Sequence, residues 1–174
     1  MELGMVGLGR MGGAMAERLL RGGHHVTGFA LDPQAVAKLE SAGGRGSGSL
    51  AELCAQLAPP RVVWLMIPAG DPVERTVREL LDLLAPGDVV VDGGNSNFRD
   101  SMRRAALLEE REMHLVDCGT SGGVWGLDAG YCLMIGGPRE PVERLRPLFE
   151  TLAPGAETGW AHVGPSGAGH FVKM

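Results

Sequence analysis

Short apolar runs alternate with amphipathic stretches along this 174-residue chain, and that alternation constrains the fold more than any other feature. The runs are predicted strands at residues 3–6, 26–29, 62–67, 89–91, 114–118 and 132–135. Continuous apolar runs of this length are typical of strands that are buried on both faces of a parallel sheet. Strands that alternate with helices therefore predict an α/β fold with a doubly wound, mostly parallel sheet.

Apolar residues recur with helical spacing between the predicted strands. Met11, Met15 and Leu19 repeat every four residues, and two further apolar stripes run through residues 73–84 and 142–152. A single apolar face with this spacing is typical of a helix that packs on a larger element. The sequence therefore predicts a helix at each of these three places.

Capping sequences predict where several helices begin. The segments with this character are Ser49-Leu50-Ala51-Glu52 and Asp71-Pro72-Val73-Glu74, which resemble capping boxes, and Asp32-Pro33, a predicted N-cap and first turn. Residues 167–174 also have the character of a helix start, with no stop signal. We therefore expect a domain over residues 1–164 and, over residues 165–174, the start of a helix that leads into a further domain.

Charge and cysteine content exclude several classes of protein. The net charge is −5 with no basic stripe, so neither nucleic acid nor a membrane is an expected partner. No apolar run approaches the roughly 20 residues of a membrane helix, and no signal region precedes the first strand, so a cytoplasmic location is expected. Three widely spaced cysteines predict neither a disulfide framework nor a metal site. Cys118 and Cys132 lie in strand-like runs and are predicted to be buried thiols.

The segment Gly7-Leu8-Gly9-Arg10-Met11-Gly12 follows the first strand and opens the first helix. This context distinguishes a dinucleotide-binding turn from an ordinary glycine turn. Gly7 allows the tight turn, Gly9 lets a pyrophosphate approach the backbone, and Gly12 allows close packing of helix and strand. The helix N-terminus then offers free N–H groups to the phosphates. The prediction is a Rossmann-like domain that binds a nicotinamide dinucleotide.

Asp32 stands at the end of the second strand, about 20 positions beyond Gly12, where an acidic residue normally binds the ribose hydroxyls of NAD. An equally simple interpretation is a helix N-cap before Pro33. No arginine stands at this position to hold a 2′-phosphate, so NAD is favoured, although NADP is not excluded and Arg10 is an indirect candidate for that phosphate. The sequence leaves both roles of Asp32 open.

Three loops follow later strands, and their positions predict a shared ligand crevice. They are Ile67-Pro68-Ala69-Gly70, Asp92-Gly93-Gly94-Asn95-Ser96-Asn97 and Gly119-Thr120-Ser121-Gly122-Gly123. In a parallel sheet these loops lie at the same carboxyl edge as the Gly7 turn, where such folds bind ligands. Turn chemistry could explain any one loop. Three loops at one edge, with the polar side chains of Asn95 and Ser121, favour a binding site.

The last segment contains two residues whose side chains could take part in catalysis. His170 and Lys173 are three positions apart and therefore share a helix face. Gly167 and Gly169 would let a ligand come close to that helix. A lysine can act as a general base, although a lone lysine is more often a solvated surface residue.

Taken together, these motifs resemble the 6-phosphogluconate dehydrogenase family, particularly its shorter bacterial branch, which often prefers NAD. The matching segments, spread over the whole chain, are Gly7-Leu8-Gly9-Arg10-Met11-Gly12, Asp92-Gly93-Gly94-Asn95-Ser96, Ser121-Gly122-Gly123-Val124-Trp125-Gly126, Tyr131-Cys132-Leu133-Met134-Ile135-Gly136-Gly137 and Gly167-Ala168-Gly169-His170-Phe171-Val172-Lys173-Met174. One departure is Ala30-Leu31, where the family usually has an acidic residue or an Asn-Arg pair. This departure leaves the choice of cofactor open.

The resemblance implies oxidative decarboxylation of 6-phosphogluconate, a phosphorylated sugar acid, to ribulose 5-phosphate and carbon dioxide, with hydride transfer to the nicotinamide. It implies that Lys173 is the general base and later the acid. It also assigns substrate or nicotinamide contacts to Asn95, Ser121, Gly122, Gly123 and His170. By the same resemblance, Ile67, Pro68 and Ala69 line the dinucleotide path.

The family continues into an all-helical domain that carries further substrate ligands and the homo-oligomer interface. The resemblance therefore implies that this chain alone binds dinucleotide but turns over little or no substrate. Two alternatives stay open at this point. One is another β-hydroxyacid dehydrogenase that acts on a small unphosphorylated acid, and the other is a non-catalytic dinucleotide-binding module.

Overall fold

One sheet runs through the structure, a computed structural model that describes residues 1–174 apart from the side chain of Val124. Its strands are β1 (Glu2–Val6), β2 (His25–Phe29), β3 (Arg45–Gly46), β4 (Val62–Leu65), β5 (Val89–Asp92), β6 (His114–Ser121), β7 (Cys132–Gly136) and β8 (Trp160–Gly164). The spatial order is β3-β2-β1-β4-β5-β6-β7-β8. Strands β1 to β6 are parallel, β7 is antiparallel to β6, and β8 is parallel to β7. The prediction of a Rossmann-like, mostly parallel α/β sheet is confirmed.

Helices cover both faces of this sheet. They are α1 (Arg10–Arg21), α2 (Pro33–Ser41), α3 (Leu50–Ala55), α4 (Asp71–Leu83), α5 (Phe98–Glu109), α6 (Gly126–Ala129), α7 (Arg139–Leu152) and α8 (Ala168–Lys173). One buried cluster joins α1, α2 and α7 to the sheet. A second cluster joins α3, α4 and α5 to the opposite face, where α8 also packs beside α5. Among the described residues, no helix is both long and apolar enough to cross a membrane.

The apolar runs located six strands correctly, but strands β3 and β8, helix α5 and the four-residue helix α6 were not predicted. The two-residue β3 is too short for a periodic signal, and β8 contains exposed Ala161 and His162 rather than a buried apolar run. Helix α5 was not singled out because its buried positions are Ser101, Arg104 and Leu108. Two polar residues on that stripe conceal the spacing by which buried helix faces are recognised.

The capping predictions had mixed outcomes. Ser49 accepts a hydrogen bond from the backbone N–H of Glu52, and Asp32 accepts one from that of Gln34, so both N-caps are confirmed. The capping box at Asp71 is wrong, because Asp71 is already helical and the cap position belongs to Gly70, whose φ is 86°. No side chain caps that helix start, since the carboxylate of Glu74 pairs with arginines of α5 instead.

The two predicted buried thiols differ in their environments. Cys118 is fully buried, and this burial raises the pKa of its thiol to about 12. The prediction for Cys132 is wrong, because its side chain is exposed. Cys132 is the first residue of β7 and pairs with Ser121, the last residue of β6. It therefore lies at the end of these strands, beyond the buried core.

The glycines of the last segment let the helix approach the sheet, which corrects the expectation that they make room for a ligand. A β-carbon at Gly169 would lie 2.6 Å from the carbonyl oxygen of Asp117 and 2.8 Å from the backbone nitrogen of Gly136. Gly167 has φ of 96° and faces Met102 and the carbonyl oxygen of Phe98. Helix α8 therefore rests directly on β6 and β7.

We predict that Gly169→Ala lowers the free energy of unfolding by about 2 kcal/mol, because the added methyl group forces α8 away from the sheet. Gly9→Ala is the control, since Gly9 has φ of −65° and no atom lies within 4 Å of the position that an added β-carbon would take. That control is expected to change stability by less than about 0.5 kcal/mol. Urea denaturation of both variants measures the difference, and equal stabilities would contradict the close approach.

Candidate functional site

The carboxyl ends of β1, β2 and β4 border a cleft of about 1030 Å³. Seven of the residues predicted to bind dinucleotide line it: Gly7, Leu8, Gly9, Arg10, Asp32, Ile67 and Pro68. Four others do not. Met11 packs against the core, Gly12 lies behind the Gly7 turn, Ala69 is outside the lining, and Asn95 lines a second cavity.

The glycine turn has the geometry that a pyrophosphate requires. Gly7 has φ of 92°, and a β-carbon at Gly12 would collide with the carbonyl oxygen of Gly7, so both positions exclude side chains for packing reasons. Gly9 faces open space and leaves room for a ligand. No side chain caps α1, and its first turn contains no acidic residue. The free N–H groups and the positive end of the helix dipole therefore suit phosphate oxygens.

Charged side chains surround the rest of this cleft. Asp32 uses Oδ1 to cap α2, at 2.9 Å from the backbone nitrogen of Gln34, while its side chain also lines the cleft. The N-cap role and a ribose role are thus compatible. Lys38 and Arg75 line the cleft as well, and the sequence analysis missed both because they lie on helices without a motif. Leu31, beside Asp32, is 94% exposed.

A smaller cavity of about 210 Å³ lies at the end of β5. It is lined by Asn95, Ser96, His170, Lys173 and Met174. Lys173 Nζ donates a hydrogen bond to Asn95 Oδ1, although the two residues are 78 positions apart in the chain. The structure therefore brings together three of the residues that the sequence singled out: Asn95, His170 and Lys173.

Ser121, Gly122 and Gly123 do not line this cavity, and only Ser121 is linked to it, through the contact of β6 with α8. A β-carbon at Gly119 would lie 2.7 Å from Lys173 Cβ, so this position of β6 contacts α8. Ser121 follows two residues later on the same face of β6, because side chains alternate along a strand. Ser121 is exposed, on the face of β6 that α8 covers at Gly119.

Asp117, which the sequence analysis missed, holds the start of α8. It is fully buried, with Oδ1 2.5 Å from the backbone nitrogen of Gly167 and Oδ2 2.8 Å from that of His170. A carboxylate at a helix N-terminus satisfies free N–H groups and faces the positive end of the dipole. An acidic residue inside the apolar run of β6 was the available signal. Asp117 thereby fixes where His170 and Lys173 stand.

Asp92 has the corresponding role for the loop that carries Asn95. Its Oδ1 accepts from the backbone N–H of Gly94 at 3.1 Å, and its Oδ2 accepts from Ser96 Oγ at 2.7 Å. A β-carbon at Gly94 would lie 3.0 Å from the carbonyl oxygen of Ile67, so this loop also contacts the wall of the dinucleotide cleft. The cleft and the cavity are therefore neighbours along one sheet edge.

A buried arginine connects the two loops. Arg104 is 1% exposed, with Nη1 3.6 Å from Asp92 Oδ2 and Nε 3.1 Å from Glu74 Oε2. Its Nη2 donates to the carbonyl oxygen of Gly70 at 3.4 Å. Hydrogen bonds from Arg103, and secondarily from Arg104, outweigh burial and lower the pKa of Glu74 to about 2. Glu74 is thus ionised at neutral pH, and the contacts of Arg104 with Asp92, Glu74 and Gly70 join the loops after β4 and β5.

These features define a class of protein: a Rossmann-like nucleotide-binding domain with a lysine-containing cavity beside the cleft. The family model described as the NAD binding domain of 6-phosphogluconate dehydrogenase matches residues 2–164, and the chain belongs to this family. Among the described residues, no group of three His, Cys, Asp or Glu side chains could hold a metal ion.

Two curated relatives illustrate the family. The NAD(+)-dependent, decarboxylating 6-phosphogluconate dehydrogenase of Haloferax volcanii is 46% identical over 174 residues, which cover 100% of this chain and 57% of that protein. The enzyme of the same name from Bacillus subtilis is 35% identical over 179 residues, covering 99% of this chain and 38% of that protein. The chain therefore spans little more than half the length of the first relative and less of the second.

Two solved structures share the fold over the whole chain. The 6-phosphogluconate dehydrogenase of Plasmodium falciparum has a TM-score of 0.92 and 26% identity, and the match covers 100% of this chain and 39% of that one. The 3-hydroxyisobutyrate dehydrogenase of Mycobacterium tuberculosis has a TM-score of 0.89 and 31% identity, covering 99% of this chain and 57% of that one. Both matches agree with the Rossmann-like sheet described above.

We predict that Arg104→Met lowers the free energy of unfolding by about 3 kcal/mol, because it leaves the buried carboxylate of Asp92 without its cation. Arg103→Met is the matched control. Arg103 also pairs with Glu74, but its side chain is 51% exposed, and loss of an exposed pair should cost less than about 1 kcal/mol. Guanidinium denaturation of the two variants checks the difference, and a loss of similar size in both would reject the buried role of Arg104.

Proposed function

We propose that this chain binds NAD and supplies the general base for the oxidative decarboxylation of 6-phosphogluconate to ribulose 5-phosphate and carbon dioxide. The observation that carries the proposal is the pairing of Lys173 with Asn95 in a cavity beside the dinucleotide cleft. Because the cleft and the cavity adjoin, a nicotinamide in one and a sugar acid in the other would meet at the same sheet edge.

The proposed reaction consists of a hydride transfer and two proton transfers. A bound NAD would supply the acceptor for the hydride that leaves C3 of the substrate. Lys173 Nζ takes the proton of the C3 hydroxyl, so that C3 becomes a ketone, and later returns a proton as the carboxylate leaves as carbon dioxide. Asn95 orients Nζ through its side-chain oxygen. Ser121, Gly122, Gly123 and His170 would contact the sugar acid.

The cofactor residues that we propose are the glycine turn Gly7 to Gly12, Asp32, the loop Ile67-Pro68-Ala69, and Asn95 near the nicotinamide. An apolar Leu31 and an acidic Asp32 after β2 favour the ribose hydroxyls of NAD over the 2′-phosphate of NADP. The names of the Haloferax volcanii and Bacillus subtilis relatives, both NAD(+)-dependent, support the same preference. Arg10, Lys38 and Arg75 at the cleft are the groups that would favour NADP instead.

We further propose that residues 1–164 form the dinucleotide-binding part and that residues 165–174 lead toward a helical part. The chain spans 57% of the Haloferax volcanii relative, so the remaining substrate contacts and a homo-oligomer interface are expected in the part of the family that this chain does not cover. In this proposal, the 174-residue chain binds dinucleotide and has little or no turnover by itself.

A second candidate is a dehydrogenase for a small unphosphorylated hydroxy acid. It is favoured by the likeness to the Mycobacterium tuberculosis 3-hydroxyisobutyrate dehydrogenase, whose TM-score is 0.89 at 31% identity. The two candidates share the cleft and Lys173, and they differ in whether the substrate carries a phosphate. Substrate dependence therefore separates them.

For the cofactor, we predict that calorimetric titration of the chain gives a dissociation constant at least about tenfold lower for NAD than for NADP. Gly9→Ala should weaken NAD binding about tenfold or more, because its methyl group occupies the approach of the pyrophosphate. The fold of that variant should be intact, as measured by its urea denaturation. Failure of the wild-type chain to bind either dinucleotide would reject the cleft assignment.

For the substrate, we predict that a fusion of this chain, after Met174, to the uncovered remainder of the Haloferax volcanii relative oxidises 6-phosphogluconate in preference to 3-hydroxyisobutyrate. The unfused chain should show turnover lower by about a thousandfold or more. Lys173→Ala in the fusion should abolish turnover while changing the NAD dissociation constant less than about twofold. NADH absorbance measures turnover in all three proteins, and a fully active Lys173→Ala fusion would contradict the role of Lys173.

A further inference from the structure

One ring nitrogen of His170, a residue that lines the cavity beside Lys173, lacks a partner. His170 is 1% exposed, and its Nε2 is a buried atom with no hydrogen-bond partner among the described residues. The same residue lines the cavity beside Asn95 and Lys173. A buried polar atom that is left unpaired costs about 1–3 kcal/mol, so native structures seldom retain one without a reason. A ligand atom in the cavity would satisfy it.

The opposite nitrogen of the ring has a partner. His170 Nδ1 lies 2.8 Å from Ser101 Oγ, and Ser101 is completely buried on α5. The same hydroxyl lies 3.4 Å from the carbonyl oxygen of Asn97, four residues earlier in the chain. A serine hydroxyl has one proton to donate. When Ser101 donates it to Asn97, its oxygen is free to accept a proton from Nδ1.

The charge around the ring favours that arrangement. Asp117 Oδ2 lies 3.9 Å from His170 Nδ1 and attracts a proton to that side of the ring. In a neutral imidazole one nitrogen donates and the other accepts, and the bond at one nitrogen sets the state of the other. A proton on Nδ1 leaves a lone pair on Nε2.

We infer that Ser101 and Asp117 hold His170 in its Nδ1–H tautomer, so that Nε2 accepts a hydrogen bond from a hydroxyl group of the ligand beside Lys173. This inference rests on the proposed function, and it specifies which part of the substrate lies there. A lone pair attracts a hydroxyl hydrogen and repels carboxylate and phosphate oxygens. The position next to Lys173 therefore selects the hydroxyl-bearing middle of a sugar acid over its charged ends, and Ser101 is a positioning residue.

The tautomer can be measured directly in the 174-residue chain. Imidazole ¹⁵N NMR of protein labelled at histidine distinguishes protonated from unprotonated ring nitrogens, and His170→Gln identifies the signals of His170 among the five histidines. We expect Nδ1 protonated and Nε2 unprotonated in the wild-type chain. Ser101→Ala should shift the ring toward the other tautomer. Protonation of Nε2 in the wild-type chain overturns the inference.

Turnover of the fusion tests what the tautomer does. Ser101→Ala should lower kcat/KM for 6-phosphogluconate about tenfold while the NAD dissociation constant changes less than about twofold. Ser101→Thr, which keeps a hydroxyl, should restore most of that loss. Ser41→Ala is the control, because Ser41 Oγ makes the same bond to a carbonyl four residues earlier, at 2.9 Å from that of Ala37, without a histidine. Equal losses in the Ser101→Ala and Ser41→Ala fusions overturn the positioning role.

The inference and the proposed function fail in different ways. A protonated Nε2 overturns the inference even where the fusion oxidises 6-phosphogluconate efficiently. A fusion that oxidises only 3-hydroxyisobutyrate overturns the proposed substrate. The inference is then tested by the effect of Ser101→Ala on kcat/KM for 3-hydroxyisobutyrate. That compound also carries a hydroxyl group, so an unchanged kcat/KM for it in Ser101→Ala then overturns the inference, and a tenfold loss supports it.

Discussion

Two buried carboxylates on adjacent strands organise the ligand edge of this domain. Asp92 and Asp117 are register partners in β5 and β6, and both are completely buried. A buried charge is tolerated only where its oxygens are satisfied. Asp92 meets this requirement with a loop, and Asp117 meets it with the N-terminus of α8. Because one carboxylate holds Asn95 and the other holds Lys173, the spacing of two strands sets the distance between these two side chains.

The carboxylates of Asp92 and Asp117 would repel each other across neighbouring strands. Positive groups around them offset this repulsion. Arg104 approaches Asp92 from α5, while backbone N–H groups and the positive end of α8 face Asp117. Arg104 also contacts Glu74, whose lowered pKa keeps this pairing ionised under mildly acidic conditions. The site therefore rests on α5, a helix whose buried face is largely polar. The ion pairs of Arg104 and the hydrogen bond of Ser101, together with the apolar packing of Leu108, hold this helix beside the site.

Local sequence patterns predicted part of this site. The glycine turn, the loops at the carboxyl edge, and the pair His170 and Lys173 are visible because each motif is complete within a few residues. Ser101, Arg104 and Asp117 act over separations of 12 to 69 positions, so no local period reveals them. In the sequence, a polar residue at a buried helix position looks the same as one on a solvent-exposed face, because its buried partner lies elsewhere in the chain. The exposure of Cys132 could not be predicted locally either, because it depends on how far β6 extends beyond the buried core.

The reversal of strand direction after β6 has a consequence for what the last helix can reach. In a fully parallel sheet, a helix that follows a strand starts at the carboxyl edge and carries its residues away from bound ligand. Here Gly164, at the end of β8, pairs with Gly136, which in turn pairs with Asp117, well inside the sheet. Helix α8 consequently travels outward toward the ligand edge. Lys173 is the sixth residue of this helix, and that position brings its amine to the cavity beside Asn95. One residue more or less before Lys173 would turn the amine by about 100° away from that cavity.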